Sequence, residues 1–386
     1  MWRVGTEMQQ VASGRVDRDR LSATFARLVG IDSPSGGEGA LARIIGLELE
    51  RLGWTVADDR SGPDCGNVIA SLPGESGLEP LMFTSHMDVV APCHGIQARL
   101  HDGVFVTAGD TVLGADAKAS VAALIEMAQM LAHSPSASRP PLELVFTWGE
   151  EVGHLGAKAL DLAHIQSSRA YVLDGLMPVG TIVTAAPTYY SFSVRLAGRA
   201  AHAGVEPERG VSAIALAAQA IMRLPWGRLD ESTTANIGTI HGGSARNAVA
   251  AETLLDGEVR SLEPERAAAI VRAIERVFTS VATEAGAAAE VRVEEVYRGY
   301  ALDPELPLIA LARRAFASLG TDRVGELVRT GGGSDANEFN TRGLVACVLG
   351  IGAENCHSVQ ERMRLSELVL LTEWVIEIVR HSAQPR

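Results

Sequence analysis

Residues 81–93 read LMFTSHMDVVAPC, a run of apolar residues that ends in an imidazole and a carboxylate. The two polar side chains, His86 and Asp88, are two residues apart. If strand geometry persists to the last residue, positions i and i+2 project from the same face, so we expect both groups to point at one spot. The stretch predicts a buried strand whose carboxyl end forms part of a polar site.

The length, composition and charge of the chain limit which classes of protein it can belong to. Its 386 residues exceed the usual size of one hydrophobic core, so we expect two domains. Hydrophobic residues make up 47% and charged residues 21%, as in ordinary soluble globular proteins. The net charge of -13 and the lack of a Lys/Arg cluster argue against a nucleic-acid partner, which requires a concentrated basic surface.

Neither a membrane segment nor a leader is expected. No apolar run approaches the roughly 20 residues needed to cross a bilayer. Residues 1–20 lack the apolar centre of a secretion signal. The sequence therefore predicts a cytoplasmic protein without a membrane partner.

The four cysteines, Cys65, Cys93, Cys347 and Cys356, are scattered without CxxC spacing. This spacing predicts neither a disulfide framework nor a thiolate zinc site. Cys356 precedes His357, which raises the alternative of a Cys–His nucleophile. Adjacency in sequence is not the spatial pairing that such chemistry needs, so a small, partly buried residue is the favoured interpretation.

Strands and helices alternate in the first half of the chain and again after about residue 303. Apolar strands are predicted at residues 67–73, 80–90, 141–151 and 169–175, a hairpin at 98–109 and a long alanine-rich helix at 118–133. Strands that alternate with helices are typical of an α/β domain with a mainly parallel sheet covered on both faces.

Between these parts the pattern changes. Residues 187–299 show the order β-α-β-β-α-β, the split unit of a ferredoxin-like module. We therefore expect an inserted domain at 187–299 and a catalytic domain formed by residues 1–186 and 300–386.

Acids and histidines follow the predicted strands of the α/β part at five places. In open α/β sheets, ligand sites form beyond the carboxyl ends of strands, so these groups should converge on one crevice. Each alone has a structural alternative: a surface His/Asp pair, a helix cap, a solvated turn or a loop histidine. Those alternatives do not require all five to fall at strand ends, so together they favour a metal site. The groups are His86 with Asp88, Asp116, Glu150 with Glu151, Asp174, and His357.

The donor types indicate the metal. Imidazole and carboxylate without thiolate suit zinc, with cobalt or manganese as alternatives. Two histidines and at least three carboxylates exceed what one tetrahedral ion uses. They favour two ions roughly 3.5–4 Å apart that share a bridging carboxylate.

The motifs together resemble a known family, the di-zinc metallopeptidases that include peptidase T, carboxypeptidase G, succinyl-diaminopimelate desuccinylase and the aminoacylases. The resemblance spans about residues 16–380, and TGGGSDANEFN and GAENCHS look most like the peptidase T-like branch. It implies that the inserted module is a lid and dimerisation domain. The motifs are HMDVV, TVLGADAKAS, TWGEEVG, VLDG, GRAAHAGVEPERGVSAI, GGSARN, GGGSDAN and GAENCHSV.

The resemblance also implies roles for the strand-end residues. Asp116 would bridge the two ions, and Glu150 would be the general base. Asp88 would accept a hydrogen bond from the far nitrogen of His86 and fix its tautomer. The ligand pairs completing the two sites would be His86 with Asp174 and Glu151 with His357.

The chain departs from the family in its fine detail. Ala117 stands where the usual motif has a second acid after the bridging Asp, and Cys93 and Ser120 replace common glycines. All five implied ligands and both catalytic acids are present, so activity is still expected.

The resemblance assigns further residues to substrate. His202 would reach a neighbouring active site in a dimer and stabilise the oxyanion, where the alternative is a solvated loop histidine. Asn247 and Arg260 would hold the substrate, with a loop or sheet-edge role as the alternative. Independently of the resemblance, Gly333 and Ser334 open a predicted helix whose free N–H groups suit a substrate carboxylate; the alternative is a glycine turn with Asp335 as the helix cap.

The sequence thus predicts a di-zinc metallopeptidase that cleaves an amide bond of short peptides, in the manner of a peptidase T-like aminopeptidase. The alternative is an N-acyl-amino-acid deacylase or carboxypeptidase-type hydrolase. A remote alternative is an inactive metal- or peptide-binding protein on the same fold. A nucleotide binder is excluded, because no GxGxxG or P-loop lysine motif follows a strand. The expected partners are a small peptide or N-acyl amino acid and a second copy of the chain.

Overall fold

The structure, a computed structural model, describes residues 16–134 and 138–384. Most of the segment predicted to lack a secretion signal therefore lies outside the described residues. The chain forms two compact units. Unit 1 contains the described residues up to Thr184, Leu302–Arg329 and the described residues from Ser334 onward; unit 2 contains Ala185–Ala301 and Thr330–Gly333.

The strands and helices are numbered in chain order. The strands are β1 (Thr55–Asp58), β2 (Val68–Leu72), β3 (Leu81–His86), β4 (Ala98–His101), β5 (Val104–Thr107), β6 (Leu142–Thr147), β7 (Arg169–Gly175), β8 (Thr181–Ala186), β9 (Thr188–Ala197), β10 (Gly227–Asp230), β11 (Thr233–Gly242), β12 (Glu252–Ser261), β13 (Ala288–Tyr297), β14 (Tyr300–Ala301), β15 (Glu326–Arg329), β16 (Val345–Gly350), β17 (Ala353–Glu354) and β18 (Arg362–Arg364). The helices are α1 (Arg18–Val29), α2 (Gly39–Arg51), α3 (Ala115–Ala132), α4 (Leu155–Ala159), α5 (Ala213–Met222), α6 (Pro264–Glu284), α7 (Pro307–Ser318), α8 (Asp335–Thr341) and α9 (Leu365–Ser382).

The large sheet of unit 1 is mixed. Its order is β1-β2-β6-β3-β7-β16-β8, and β15 also pairs with β8. The central strands β6, β3, β7 and β16 are parallel to one another, as the sequence predicts. The flanking pairs β1–β2, β2–β6 and β16–β8 are antiparallel, which the sequence analysis missed. β1 and β2 are joined by only a short loop, and a parallel pair would need a crossover of a dozen or more residues.

The core of unit 1 is held by aromatic pairs and by a buried helix. Phe83 of β3 stacks on Tyr171 of β7, with ring centroids 5.5 Å apart. The alanine-rich α3 is buried from Ala115 to Ala128 without a break. Its small side chains let neighbouring elements approach on every side. This packing fixes β3, β7 and the start of α3 relative to one another, and these elements carry three of the five proposed metal ligands, His86, Asp174 and Asp116.

The smaller sheets confirm two local predictions. The hairpin predicted at residues 98–109 is β4–β5, paired in antiparallel register. The sheet of unit 2 has the order β10-β11-β12-β9-β13 and is antiparallel throughout. The predicted β-α-β-β-α-β order is present as β9, α5, β11, β12, α6 and β13, but β10 adds a strand at the edge next to β11. Alternate residues of β9, Phe192, Val194 and Leu196, enter the core of unit 2.

Within the part of the chain that the structure describes, every helix is too short or too polar to cross a bilayer.

Candidate active site and metal centre

His86 ends β3 and is surrounded by carboxylates. Its Nε2 lies 3.2 Å from Oδ1 of Asp116 and 3.4 Å from Oδ1 of Asp174. Its Nδ1 lies 3.0 Å from the carbonyl oxygen of Asp88 and 3.4 Å from Oδ1 of the same residue. The strand ends at His86, so the two residues do not share a strand face, but the loop that follows places Asp88 beside the ring and both groups point at one spot, as expected.

Asp116 lies between two histidines. Its Oδ1 faces His86, and its Oδ2 lies 3.3 Å from Nε2 of His357. Nε2 of His357 also lies 3.1 Å from Oε1 of Glu151. The backbone at Asp116 is not helical, with φ -82° and ψ 108°, so α3 proper begins after it and the carboxylate is directed at the histidines. One carboxylate oxygen of Asp116 therefore faces His86 and the other faces His357.

The pKa values reflect a concentration of negative charge in a buried space. Burial opposes protonation of His86, but hydrogen bonds with Asp116, Asp174 and Asp88 outweigh it and raise the pKa well above its usual value. Hydrogen bonds with Asp116 and Glu151 raise the pKa of His357 to about 10. Buried carboxylates require a compensating positive charge, which a proton or a metal ion supplies.

The donor set fits a metal centre. Ligand atoms of His86, Asp116 and Asp174 lie within 4.8 Å of one another, as do those of Asp116, Glu151 and His357. The two groups share Asp116. They consist of imidazole and carboxylate groups, which suit zinc, cobalt or manganese. Burial raises the pKa of the Cys356 thiol far above its usual value, which disfavours the alternative of a Cys356–His357 nucleophile.

Asp88 connects the loop after β3 to the loop after β6. It is fully buried. Its carboxylate accepts the backbone N–H of Glu150 at 2.9 Å and of Glu151 at 3.1 Å, together with the hydroxyl of Ser35 at 2.7 Å. The residue therefore positions both glutamates as well as the ring of His86. Sequence reasoning missed Ser35, which lies in the turn-rich DSPSGGE segment.

Glu150 and Glu151 follow a glycine that turns the chain at the end of β6. Gly149 has φ +60°, a conformation that glycine adopts without steric cost. Glu150 is 8% exposed, and its Oε1 lies 3.3 Å from Nε2 of His154. Ligand atoms of Glu150, Glu151 and His86 also lie within 4.8 Å of one another. The pair is thus placed at the edge of the cluster around Asp116.

Glu361 supports the loop that carries Asp116, and sequence reasoning missed it. Its Oε2 accepts the backbone N–H of Leu113 at 2.8 Å and of Gly114 at 2.7 Å, and its Oε1 accepts that of Asp116 at 3.0 Å. Glu361 is only four residues beyond His357 along the chain. One buried carboxylate therefore connects the segments that carry Asp116 and His357.

The glycine-rich segment before α8 has an evident structural role. The hydroxyl of Ser334 caps the helix in a capping box with Asn337, so the alternative that named Asp335 as the cap was wrong. Oδ2 of Asp335 instead accepts the hydroxyl of Thr147 at 2.5 Å. A Cβ at Gly333 would lie 2.3 Å from the ring of Tyr297. A contact of Gly333 or Ser334 with substrate stays a prediction.

The loop residues of unit 2 have defined local surroundings. Nδ1 of His202 accepts the backbone N–H of Gly204 at 3.2 Å, so the neutral ring carries its proton on Nε2. The carbonyl of Asn247 accepts the N–H of Ala203 at 3.0 Å, which ties the two loops together. The His202 side chain is therefore set to act as a donor, although its catalytic role stays a prediction.

Arg260 is held inside unit 2. Its guanidinium lies 4.4 Å from the ring centroid of Tyr189, and its Nη1 donates to the hydroxyl of Tyr297 at 3.2 Å. Its Nη2 pairs with Glu258 at 3.1 Å. These contacts give Arg260 a structural role on the interior strand β12, and not the loop or sheet-edge role named as the alternative; contact with substrate stays a prediction.

Comparisons with known proteins agree with this arrangement. A family model described as a peptidase dimerisation domain matches residues 186–285, and a model of peptidase family M28 matches residues 67–183. The uncharacterized protein YqjE of Bacillus subtilis is 39% identical over 373 residues, which cover 96% of this chain and 100% of that protein.

Two solved structures are similar over nearly the whole chain. The aminopeptidase PepT of Bacillus cereus is 37% identical, with a TM-score of 0.89 over 96% of this chain and 100% of that chain. A tripeptidase of Staphylococcus aureus is also 37% identical, with a TM-score of 0.92 over 95% of this chain and 99% of that chain. At this identity and coverage the likeness extends to the family as well as to the fold.

Proposed function

Because this chain belongs to the peptidase T-like branch of the M20 metallopeptidase family, we propose that it hydrolyses short peptides with two zinc ions held around Asp116. The chain is a metallopeptidase with a metal cofactor. What we propose is that the metal is zinc, that it is held by the ligands named below, and that the substrate is of tripeptide size. The observation that carries it is Asp116 itself, whose two oxygens face His86 and His357.

The proposed ligands divide into two groups around the shared aspartate. His86 and Asp174 would hold one ion, and Glu151 and His357 the other. When bound, the ions act as Lewis acids that polarise the scissile carbonyl and lower the pKa of water. The buried carboxylates that raise the pKa of both histidines supply the negative charge that such ions need.

The remaining groups move and orient protons. Glu150 would accept the proton of the attacking water on a carboxylate oxygen and return it to the leaving amine. Asp88 would support it indirectly, because it accepts the N–H groups of both glutamates and contacts the ring of His86. His202, with its proton on Nε2, would donate to the oxyanion that develops on the substrate carbonyl.

The names of the two solved relatives favour an aminopeptidase acting on tripeptides, with the deacylase and carboxypeptidase-type activities as alternatives. The match to the dimerisation domain supports a homodimer formed through unit 2. A cytoplasmic location and the lack of nucleic-acid and membrane partners stay predictions from composition.

Hydrolysis of a panel of dipeptides, tripeptides and N-acyl amino acids, with metal content measured on the same samples, tests the proposal. We expect tripeptides with a free amino terminus to be cleaved best, chelation to abolish hydrolysis, and zinc, cobalt or manganese to restore it. Full activity of the chelated, metal-free protein would exclude the two-metal mechanism. Cleavage of N-acyl amino acids in preference to peptides would establish the deacylase alternative.

A further inference from the structure

The loop after β6 folds back on itself and brings a histidine over Glu150. Gly153 and His154 both donate their backbone N–H to the carbonyl of Glu150, each at 2.9 Å. The φ angles of Gly149, Gly153 and His154 are +60°, +110° and +58°. Left-handed conformations at these positions reverse the chain within a few residues. The imidazole of His154 is thereby set beside the carboxylate of the residue to which its backbone is bonded.

The contact between the two side chains is buried. Nε2 of His154 lies 3.3 Å from Oε1 of Glu150, and the side chains are 5% and 9% exposed. A hydrogen bond in such surroundings is stronger than in water. Since a glutamate side chain has several rotatable bonds, a fixed donor on one oxygen selects among its conformations.

A second carboxylate lies on the other side of the ring. Nδ1 of His154 is 3.9 Å from Oε1 of Glu338 on α8, and Nζ of Lys158 is also 3.9 Å from that oxygen. Burial opposes protonation of His154, but interactions with Glu150 and Glu338 outweigh it and raise its pKa to about 10. A protonated ring is a donor at both nitrogens, which matches carboxylates on both sides.

We propose that His154 is a positioning residue for the general base: it donates Nε2–H to Oε1 of Glu150, holds that carboxylate in one conformation and leaves Oε2 to take the proton of water. The inference rests on the proposed function, in which Glu150 is that base. Glu338 completes the arrangement by orienting the ring from the other side. The role predicts an effect on kcat rather than on KM, because His154 acts through Glu150 and not on the substrate.

Two amide substitutions separate this role of the His154 side chain from a requirement for its left-handed backbone conformation. In His154→Gln the amide nitrogen lies close to the position of Nε2, so the donor to Glu150 is kept. In His154→Asn the amide nitrogen lies close to Nδ1 and cannot reach Glu150. Asparagine tolerates a left-handed backbone better than glutamine does, so a requirement for the backbone conformation alone predicts the opposite order of activities.

The measurement is kcat and KM on the best peptide substrate, with metal content and melting temperature for each variant. We expect His154→Asn to lower kcat about tenfold and His154→Gln to stay within about threefold of the wild type, both less than the roughly 10²–10⁴-fold effect of losing a general base. KM and metal content should not change. The exposed His164, 67% exposed in its side chain, supplies the matched control: His164→Asn should leave kcat unchanged.

The Glu150→Gln background provides the decisive comparison. If His154 acts through the carboxylate of Glu150, His154→Asn should cause no further loss of kcat once that carboxylate is gone. A further loss as large as in the wild-type background, equal losses in the Asn and Gln variants, or a lower kcat in His154→Gln than in His154→Asn would overturn the proposal. Failure of the proposed function is distinguishable, because the wild-type protein itself would then not hydrolyse the peptides.

Discussion

The substitution Glu361→Gln tests whether the support of the Asp116 loop controls the metal centre. The carboxylate of Glu361 accepts three backbone N–H groups, two on Oε2 and one, from Asp116, on Oε1. Glutamine has one acceptor oxygen, and its other terminal atom is an N–H₂ donor. At least one of the three buried N–H groups would therefore face another donor.

The size of the effect follows from these contacts. A buried donor left without an acceptor costs about 1–3 kcal/mol, and the remaining bonds weaken because they lose a charged acceptor. Burial raises the pKa of Glu361, so part of its charge stabilisation is already offset in the folded protein. We therefore expect a cost of about 2 kcal/mol, close to the middle of that range. At roughly 2 °C per kcal/mol for a unit of this size, the melting temperature of the metal-free protein should fall by about 4 °C.

Metal affinity is the measurement that decides the role. Loss of a residue that orients metal ligands typically weakens binding by roughly 10–100-fold. The control is Glu143→Gln, because Glu143 is another buried carboxylate of unit 1 and accepts the backbone N–H of Gln166 at 2.8 Å and of Ser167 at 2.9 Å. It lies near the start of β6, at the other end of that strand from the proposed site.

We expect both variants to melt at lower temperature and only Glu361→Gln to bind metal more weakly in competition with a chelating dye. If Glu361→Gln melted lower yet bound both ions with wild-type affinity, Glu361 would stabilise the fold without positioning Asp116, and the reasoning would be refuted.

Three further predictions address the proposed roles. Glu150→Gln should keep its metal and fold while kcat falls by at least roughly 10²–10⁴-fold, whereas Glu151→Gln should lose one ion; equal metal loss in both variants would show that the two roles are wrongly assigned. Metal binding at neutral pH should release protons and weaken as the pH falls, because hydrogen bonds to carboxylates raise the pKa of His86 well above its usual value and that of His357 to about 10, and both rings must lose a proton to bind; a binding enthalpy that does not depend on the buffer would contradict this. His202→Ala should lower kcat by roughly 10²–10³-fold without metal loss, and its mixture with Glu150→Gln subunits should regain activity if His202 acts across the dimer; confirmed heterodimers without regained activity would exclude that action.

The elements that carry the proposed ligands could be predicted from the sequence because each is a long apolar segment that ends in a polar residue. β3, β6 and β7 have this form, and the rule that parallel strands present their carboxyl ends at one edge then groups His86, Glu151 and Asp174. Most short strands were missed, although β4 and β5 were predicted as a hairpin. β1 and β10 have four residues each, and their burial is too irregular to produce an alternating pattern. The antiparallel direction of the flanking strands was also missed, because apolar periodicity does not encode strand direction.

The residues that orient the site are harder to predict from the sequence than the ligands are. Glu361 recognises backbone N–H groups 245 to 248 positions away, and every residue except proline offers the same N–H, so no spacing or residue type marks its partners. His154 depends on a left-handed turn that a histidine adopts only in a particular tertiary setting. A related chain could therefore keep all five proposed ligands and still bind metal poorly or position its base badly. Substitution of the ligands themselves cannot test how they and the base are oriented. Two matched pairs of variants do test it: Glu361→Gln with Glu143→Gln for the metal ligands, and His154→Asn with His154→Gln for the base.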